Sequence, residues 1–284
     1  MSASRLAVDM SSETFRVVEG LPGGPMRCGE AGAPLGSMQG SRVLDPAAVG
    51  QALRQLIARS EITTSRAVVA AGDAVASFRV MSFPRSATDA DIDSAVRNQL
   101  DLGTNKMAHR HLEVPGAGPD ERAVFAAVWD RAQVAAIAES IRLAGLEPAA
   151  VDLKSLCVAR ALTRDSCIFV DLTCAPAEVV LIDQHVPRVW HAFNAEMNRD
   201  LARSTFEALR PVLGLSRRPG GAGFGPSSPI VVRADPPVPS GVATRLEELT
   251  ARSVLAVDPP PRVDPAVRYV PYLTCLGLIL RRSG

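Results

Sequence analysis

The sequence predicts an α/β protein made of two related halves. The first half opens with an apolar strand, a short polar turn and a second apolar strand, in RLAVDMSSETFRVV at 5–18. The second half repeats this arrangement in CIFVDLTCAPAEVVLIDQHVPRVWHAF at 167–193, again with an aspartate at the end of the first strand. Strands and amphipathic helices alternate between and after these two units, which is typical of layered α/β folds.

In the first half, apolar spacing and turn residues define the elements. Asp45 before Pro46 is a helix N-cap followed by a proline at the first helical position, and Gly145 is a helix-terminating glycine. We expect irregular loop with at most one short strand between Gly20 and Gly40. The predicted strands are 5–9, 14–18, 65–73, 75–84, 109–114, 122–130 and 147–153, and the predicted helices are 45–60, one starting at 88, 131–144 and 154–163.

The second half continues with fewer elements after its opening strand pair. The predictions are a helix at 196–210, a Gly/Pro-rich loop at 217–229, a strand in PIVVRAD, a helix in RLEELTARS and an apolar closing helix from 269, broken near Pro271. We therefore divide the chain into a first lobe, 1–160, with an inserted α+β subdomain at about 85–146, and a shortened second lobe, 161–284.

Composition and charge restrict the function. A net charge of +1 gives no broad field for nucleic acid or an acidic membrane surface. The five cysteines are odd in number and mostly lie in apolar runs, which is typical of buried thiols in a reducing compartment. The longest late apolar run, TCLGLIL, is far shorter than the roughly 20 residues of a membrane span. We expect a cytoplasmic protein with no membrane span.

Several segments resemble the PilM family of type IV pilus assembly proteins, relatives of the cell-division protein FtsA. They are LAVDMSSETFRVVEG at 6–20, VASFRVMSFPRSATDADIDSAVRNQL at 75–100, RLAGLEPAAVDLKSLCVARAL at 142–162 and the second hairpin. The AGLEPAAVDLKSL segment and the insert are the most specific of these features. The resemblance implies an actin-like fold, a duplicated ribonuclease H-like body with two lobes that hold a nucleotide in the cleft between them.

The first hairpin departs from the pattern of family members that bind ATP. Such members carry glycine in the turn, whose backbone N–H groups surround phosphate, where this chain has Ser11 and then Ser12. A serine held at positive φ would cost about 1 kcal/mol. Arg16 stands where these proteins usually carry lysine, and its guanidinium is able to pair with phosphate in a different geometry.

The second hairpin and the late strand depart as well. Thr173 replaces the expected glycine, and Pro176 removes a backbone donor. The adenosine-binding Gly-Gly turn is replaced by VVRADPPVPSGV, which contains a single glycine, Gly241. Asp9 and Asp171 either anchor Mg²⁺ through water or cap neighbouring backbone N–H groups. We predict weak or no binding of ATP and magnesium, and no catalytic residue.

The resemblance also implies a protein partner. Proteins of this family take up the cytoplasmic tail of a PilN-like inner-membrane protein, and an extended peptide can pair with an exposed strand edge. Arg79, Phe83, Arg97 and Leu100 are the predicted groove residues, although Phe83 and Leu100 suit a core equally well. The implied function is a scaffold held at the inner membrane through this partner, with other pilus or secretion components and with homo-oligomers as a further option.

Two other functions remain open at this point. One is an active ATPase or small-molecule kinase of the same fold, and the other is a polymerising filament protein. No metal site is predicted: His109, His111 and Glu113 share one face of a strand, but nothing nearby in sequence completes a tetrahedral site.

Overall fold

The computed structural model describes residues 4–100, 106–116, 118–195, 200–215, 225, 227–264 and 266–281. The strands are β1 Arg5–Met10, β2 Thr14–Gly20, β3 Met26–Gly32, β4 Met38–Gln39, β5 Arg42–Val43, β6 Arg66–Ala71, β7 Ala76–Pro84, β8 Met107–Val114, β9 Glu121–Asp130, β10 Glu147–Leu153, β11 Cys167–Asp171, β12 Ala177–Asp183, β13 Val186–Phe193, β14 Ile230–Arg233 and β15 Val254–Ala256. The helices are α1 Pro46–Arg59, α2 Asp89–Gln99, α3 Arg131–Leu143, α4 Lys154–Ala161, α5 Leu201–Leu215, α6 Ser240–Thr250 and α7 Tyr269–Ile279.

The two halves contain five-stranded sheets of the same topology. The first sheet has the order β3-β2-β1-β6-β10, and the second has the order β13-β12-β11-β14-β15. In the first sheet, β1 pairs antiparallel with β2 and parallel with β6. In the second sheet, β11 pairs in the same way with β12 and β14. The duplication predicted from the two hairpins is confirmed.

Helices cover both faces of each sheet. On the outer faces, α1 and α3 pack against the first sheet, and α5 and α6 pack against the second. On the inner faces, the apolar residues of α7 pack against the first sheet and those of α4 against the second. These two helices therefore lie between the sheets.

The crossing of α4 and α7 depends on one glycine. A Cβ atom at Gly277 of α7 would lie 1.8 Å from the carbonyl oxygen of Cys157 in α4, so only a residue without a side chain fits there. Arg160 of α4 donates a hydrogen bond to the carbonyl oxygen of Gly277 (3.3 Å). The close contact brings the inner helices of the two halves against each other.

A small subdomain projects from the first half. It contains the three-stranded antiparallel sheet β7-β9-β8 and helix α2. Its strands come from 76–130, whereas the predicted insert was 85–146, and α3 packs against the first sheet. The proposed division of the chain into lobes remains a prediction.

Local capping explains where the helices begin. The Asp45 side chain accepts hydrogen bonds from the backbone N–H groups of Ala47 and Ala48 at the start of α1. Thr88 and Asp91 form a reciprocal capping box at the start of α2. Gly145 follows α3 with a φ of +88°, the left-handed conformation that favours glycine. These predicted helix boundaries are confirmed.

Some predicted elements were wrong. The stretch Gly20–Gly40 contains a seven-residue strand, β3, and the short β4, and the second hairpin continues into a third strand, β13. Helix α7 is not broken at Pro271, because this proline lies in the first helical turn, where its missing N–H has no intrahelical partner to lose. Most of the loop predicted at 217–229, and the start of the helix predicted at 196–210, fall outside the described residues.

Candidate functional site

The first hairpin closes its turn with its own side chains. The carboxylate of Asp9 is 1% exposed and accepts a hydrogen bond from the backbone N–H of Ser11 (2.9 Å). The Ser12 hydroxyl accepts one from the N–H of Thr14 (3.3 Å). Ser11 does not have positive φ, so the expected backbone strain was wrong: the turn takes a conformation that serine adopts easily.

Arg16 lies between two carboxylates of the first sheet. It is opposite Asp9 in the register of β1 with β2 and opposite Glu30 in the register of β2 with β3. Its Nε atom lies 3.4 Å from Glu30 Oε2. The guanidinium is therefore already next to an anion of the chain, and its predicted contact with phosphate stays a prediction.

The second hairpin holds a buried carboxylate with both oxygens engaged. Oδ1 of Asp171 accepts hydrogen bonds from the backbone N–H (2.9 Å) and the hydroxyl (2.6 Å) of Thr173. Oδ2 lies 2.9 Å from Lys154 Nζ and 3.0 Å from Arg233 Nη1. Burial by itself would raise the pKa of Asp171, but the charges of Arg233 and Lys154 outweigh it and hold the pKa well below its usual range.

Lys154 is the first residue of α4 and lies at the centre of this cluster. Its Nζ atom also lies 2.6 Å from Oε2 of Glu178 and 3.3 Å from Sγ of Cys174. Burial would lower the pKa of Lys154, but the charges of Asp171 and Glu178 outweigh it, so the pKa is well above its usual range. The ammonium group is therefore charged at neutral pH.

Asp171, Cys174 and Glu178 are close enough together to be metal ligands. The Lys154 ammonium lies within 3.3 Å of an atom of each, so a cation of the chain already occupies the space that an ion would need. Burial raises the pKa of Cys174 to about 12, so the group next to the ammonium is a neutral thiol. This cluster does not fit a metal ion.

Arg233, at the end of β14, connects the second hairpin to α7. Besides Asp171, it donates to the carbonyl oxygens of Val270 (2.8 Å) and Pro271 (2.6 Å) and to the hydroxyl of Thr274 (3.3 Å). Among the described residues, it is the largest of the fully buried side chains. The strand after which the sequence lacks the expected Gly-Gly turn therefore ends in a buried arginine with four hydrogen-bond partners.

Asp73 extends the polar cluster to the first half. It lies two residues after the end of β6 and accepts hydrogen bonds from the N–H (3.0 Å) and the hydroxyl (2.7 Å) of Ser155 in the first turn of α4. Burial, with a further contribution from the negative charge of Glu178, raises the pKa of Asp73 to about 7. We call Asp73, Lys154, Asp171, Glu178 and Arg233 the cleft cluster.

Sequence reasoning identified one member of the cleft cluster, Asp171, and missed the other four. Two features of the sequence pointed to Lys154 and Arg233. Lys154 lies inside the DLKSL segment that carried the family resemblance, and Arg233 is a charged residue at the end of an apolar strand. Their partners, however, are 24 and 62 positions away in sequence, so no local pattern pairs them.

The four predicted groove residues lie on the subdomain in two different settings. Phe83 and Leu100 are half-buried and pack in the apolar cluster between α2 and the small sheet. Arg79 is exposed, and the exposed Arg97 pairs with Asp93 (2.8 Å) on the same helix. Two of the four thus serve the core of the subdomain, and contact of any of them with a partner stays a prediction.

Two of the remaining sequence candidates, His109 and Glu113, have charged partners. His109 is paired with Asp93 of α2, and Glu113 with Arg122 (3.1 Å). The link from β14 to α6 contains the predicted prolines, and Gly241 lies within the first turn of α6. Within the described part of the chain, no helix has the length and apolar character needed to cross a membrane.

Comparison with known proteins supports the fold. The chain is similar to one of the PilM–PilN type IV pilus biogenesis complex, with a TM-score of 0.71, 19% identity and 98% of both chains covered. It is also similar to the cytoplasmic domain of EpsL, an inner membrane component of the type II secretion system of Vibrio cholerae, with a TM-score of 0.55, 11% identity and coverage of 99% of this chain and 97% of that one.

A third similar structure is a Bacteroides thetaiotaomicron protein with an actin-like ATPase fold and unknown function. Its TM-score is 0.52, with 8% identity and coverage of 98% of this chain and 96% of that one. No family model and no curated protein matches the sequence. The predicted actin-like fold is confirmed.

Proposed function

We propose that this chain is a cytoplasmic scaffold protein of a type IV pilus assembly machine, or of a related type II secretion machine, and that it binds the cytoplasmic tail of a PilN-like inner-membrane protein. The observation that carries this proposal is the likeness to the PilM–PilN complex over 98% of both chains. Such coverage includes the projecting subdomain as well as the two sheets. The likeness to the EpsL cytoplasmic domain adds support from a second assembly machine at the inner membrane.

We further propose that ATP binds weakly or not at all and that the chain is a pseudo-ATPase. In the second hairpin, both oxygens of Asp171 are taken by four donors of the chain, and the residue is 0% exposed. A magnesium ion or its water would have to displace Lys154 or Arg233. Separating one partner from a buried ion pair costs about 3–5 kcal/mol, which opposes nucleotide binding directly.

The surface that best suits an extended peptide is the outer edge of the small sheet, at β8. On the face of this sheet opposite α2, the side chains of β7 and β9 pack with Leu153, Leu156 and Val186, so the body of the protein covers that part of the sheet. Leu112 of β8 lies opposite Phe125 in register and is 45% exposed. Because β8 is an outer strand of its sheet, a peptide added there would gain main-chain hydrogen bonds beside an apolar side chain.

The test uses synthetic peptides that correspond to the cytoplasmic segments of one-span membrane proteins encoded immediately downstream of this gene. Binding is measured by fluorescence polarisation with the wild type, with Leu112→Asp and with Leu44→Asp. Leu44 is also an exposed leucine (56%), but it lies outside the subdomain, which makes it a matched control. We expect Leu112→Asp to weaken binding at least tenfold and Leu44→Asp to leave it unchanged.

Two results would contradict the proposal. If none of the peptides binds the wild type, the partner is wrong; if both leucine variants bind like the wild type, the surface is wrong. A parallel titration with Mg²⁺ and ATP tests the pseudo-ATPase. Saturable binding at micromolar ATP would favour the alternative, an active ATPase or a small-molecule kinase of the same fold.

A further inference from the structure

We infer that Lys154 is a built-in cation that joins the two halves of the protein, so that the cleft is held closed without a bound ligand. Lys154 begins α4, directly after β10 of the first sheet, and its ammonium pairs with Asp171 and Glu178 of the second sheet. The inference concerns the conformation of the body and does not depend on the partner proposed above.

The contacts of α4 form the first connection between the halves. Asp73, two residues after β6, accepts two hydrogen bonds from Ser155, which fixes the first turn of α4 to the first half. The neighbouring Lys154 then reaches the turn between β11 and β12. Two adjacent residues of α4 therefore bind carboxylates of different halves. Ser155 binds Asp73 of the first half, and Lys154 binds Asp171 of the second.

Arg233 forms the second connection. It binds Asp171 with one nitrogen and the carbonyl oxygens of Val270 and Pro271 with the others. These carbonyl groups belong to the first turn of α7, and the body of α7 packs against the first sheet. Asp171 is therefore tied to the first half through both inner helices.

The charges of the four ion-pairing residues balance. Asp171 and Glu178 are matched by Lys154 and Arg233, and all four side chains are buried. Since a buried charge without a partner is strongly unfavourable, this balance leaves no need for an additional ion. Removing a single member would leave an uncompensated charge between the halves.

The geometry is specific for lysine. An ammonium group has three donors directed to separate points, and Lys154 Nζ has acceptors in three residues at 2.9, 2.6 and 3.3 Å. The planar fork of arginine would not reach the same three points. The chain contains two lysines, Lys106 and Lys154, among its 31 basic residues, which allows a direct chemical test.

The test is acetylation of amines with an N-hydroxysuccinimide ester under native conditions, followed by mass spectrometry of peptides. Lys106 is exposed and provides an internal standard in every sample. We expect the wild type to be acetylated at Lys106 and at least 100-fold more slowly at Lys154. Glu178→Gln removes one of the two carboxylates, and we expect it to raise the rate at Lys154 at least tenfold.

Glu207→Gln is the matched control, because Glu207 is an exposed glutamate that pairs with Arg210 on α5 (2.8 Å). It should leave the rate at Lys154 unchanged. If Lys154 reacts as fast as Lys106 in the wild type, or if Glu178→Gln has no effect on its rate, the inference is overturned.

Amide hydrogen exchange shows whether the Lys154 ion pairs connect the two halves or stabilise the second half alone. In Glu178→Gln we expect faster exchange of the amides in the first turns of both α4 and α7, with their protection reduced at least fivefold. Faster exchange confined to β11 and β12 would refute the connection. Should Glu178→Gln fail to fold, Ser155→Ala removes only the hydroxyl bond to Asp73 and serves for both measurements with the same expected directions.

Discussion

The crossing of the two inner helices makes Gly277→Ala the most informative single substitution in this protein. Cβ atoms in proteins essentially never approach another heavy atom closer than 3.0 Å, and here the new Cβ would lie 1.8 Å from the Cys157 carbonyl oxygen. Backbone stands on both sides of the contact, so no side chain can rotate away. The helices must separate by at least the difference between these two distances.

The cost follows from the packing that this separation removes. A gap of 0.5–1 Å already forfeits a quarter to a half of the dispersion energy of the atoms that line it, and overpacking of a core costs about 1–3 kcal/mol or more. We expect Gly277→Ala to lower the free energy of unfolding by about 3 kcal/mol. At roughly 2–4 °C per kcal/mol, this is a decrease in Tm of roughly 6–12 °C.

Thermal unfolding followed by circular dichroism measures this effect. Gly214→Ala is the control, because Gly214 also lies in a helix, α5, and a Cβ atom added there would meet no neighbouring atom within 4 Å. The same chemical change should there raise the stability by up to about 1 kcal/mol, since alanine favours helix. An unchanged Tm for Gly277→Ala would refute the close crossing and, with it, the arrangement of the two halves.

Three further predictions concern the cleft and the subdomain. Folding raises the pKa of Asp73 from 3.8 to about 7, so the folded state binds the extra proton in this window, and the contribution of Asp73 to stability should fall as pH rises from about 4 to 7. Denaturant unfolding should therefore show that the free energy of unfolding decreases less from pH 5 to pH 8 in Asp73→Asn than in the wild type. Equal decreases would contradict the raised pKa of Asp73. Restoring glycine in both hairpin turns, with Ser11→Gly and Thr173→Gly together, should not produce Mg²⁺-dependent ATP binding in calorimetry, because the cations around the second hairpin remain; micromolar affinity would show that the turn residues alone had prevented it. Thr88→Ala should lower the stability by about 1 kcal/mol through loss of the cap of α2, whereas Ser94→Ala in the interior of the same helix should not, as measured by thermal unfolding.

Much of the architecture could be predicted from the sequence because the signals are local. The apolar runs that end at Asp9 and Asp171 predicted the two hairpins, and each aspartate caps a nearby backbone N–H, one of the two roles considered for it. The cap at Asp45 predicted where α1 begins, and the helical spacing of apolar residues after Thr88 predicted where α2 begins. Each of these signals lies within three or four residues of the feature it predicts.

The faces of the subdomain were harder to predict. In the sequence, Phe83 and Leu100 suit a groove or a core equally well, and in the structure both pack between α2 and the small sheet. Alternation along β7 shows that two sets of side chains point to opposite faces, yet it does not say which face a helix will cover. That depends on how α2 and the body of the protein pack on the sheet, so the exposed edge with Leu112 became visible only in the structure.

The sequence by itself determined the duplicated α/β body, the two aspartates at the strand ends and the loss of glycine from the turns, because each of these follows from neighbouring residues. Only the tertiary structure decided which charged side chains meet between the two halves. Lys154, Glu178 and Arg233 come from separate strands and a helix, and they meet Asp171 from up to 62 positions away in sequence. Attraction between buried charges depends on distance in space, and this distance is set by the packing of α4 and α7 between the two sheets.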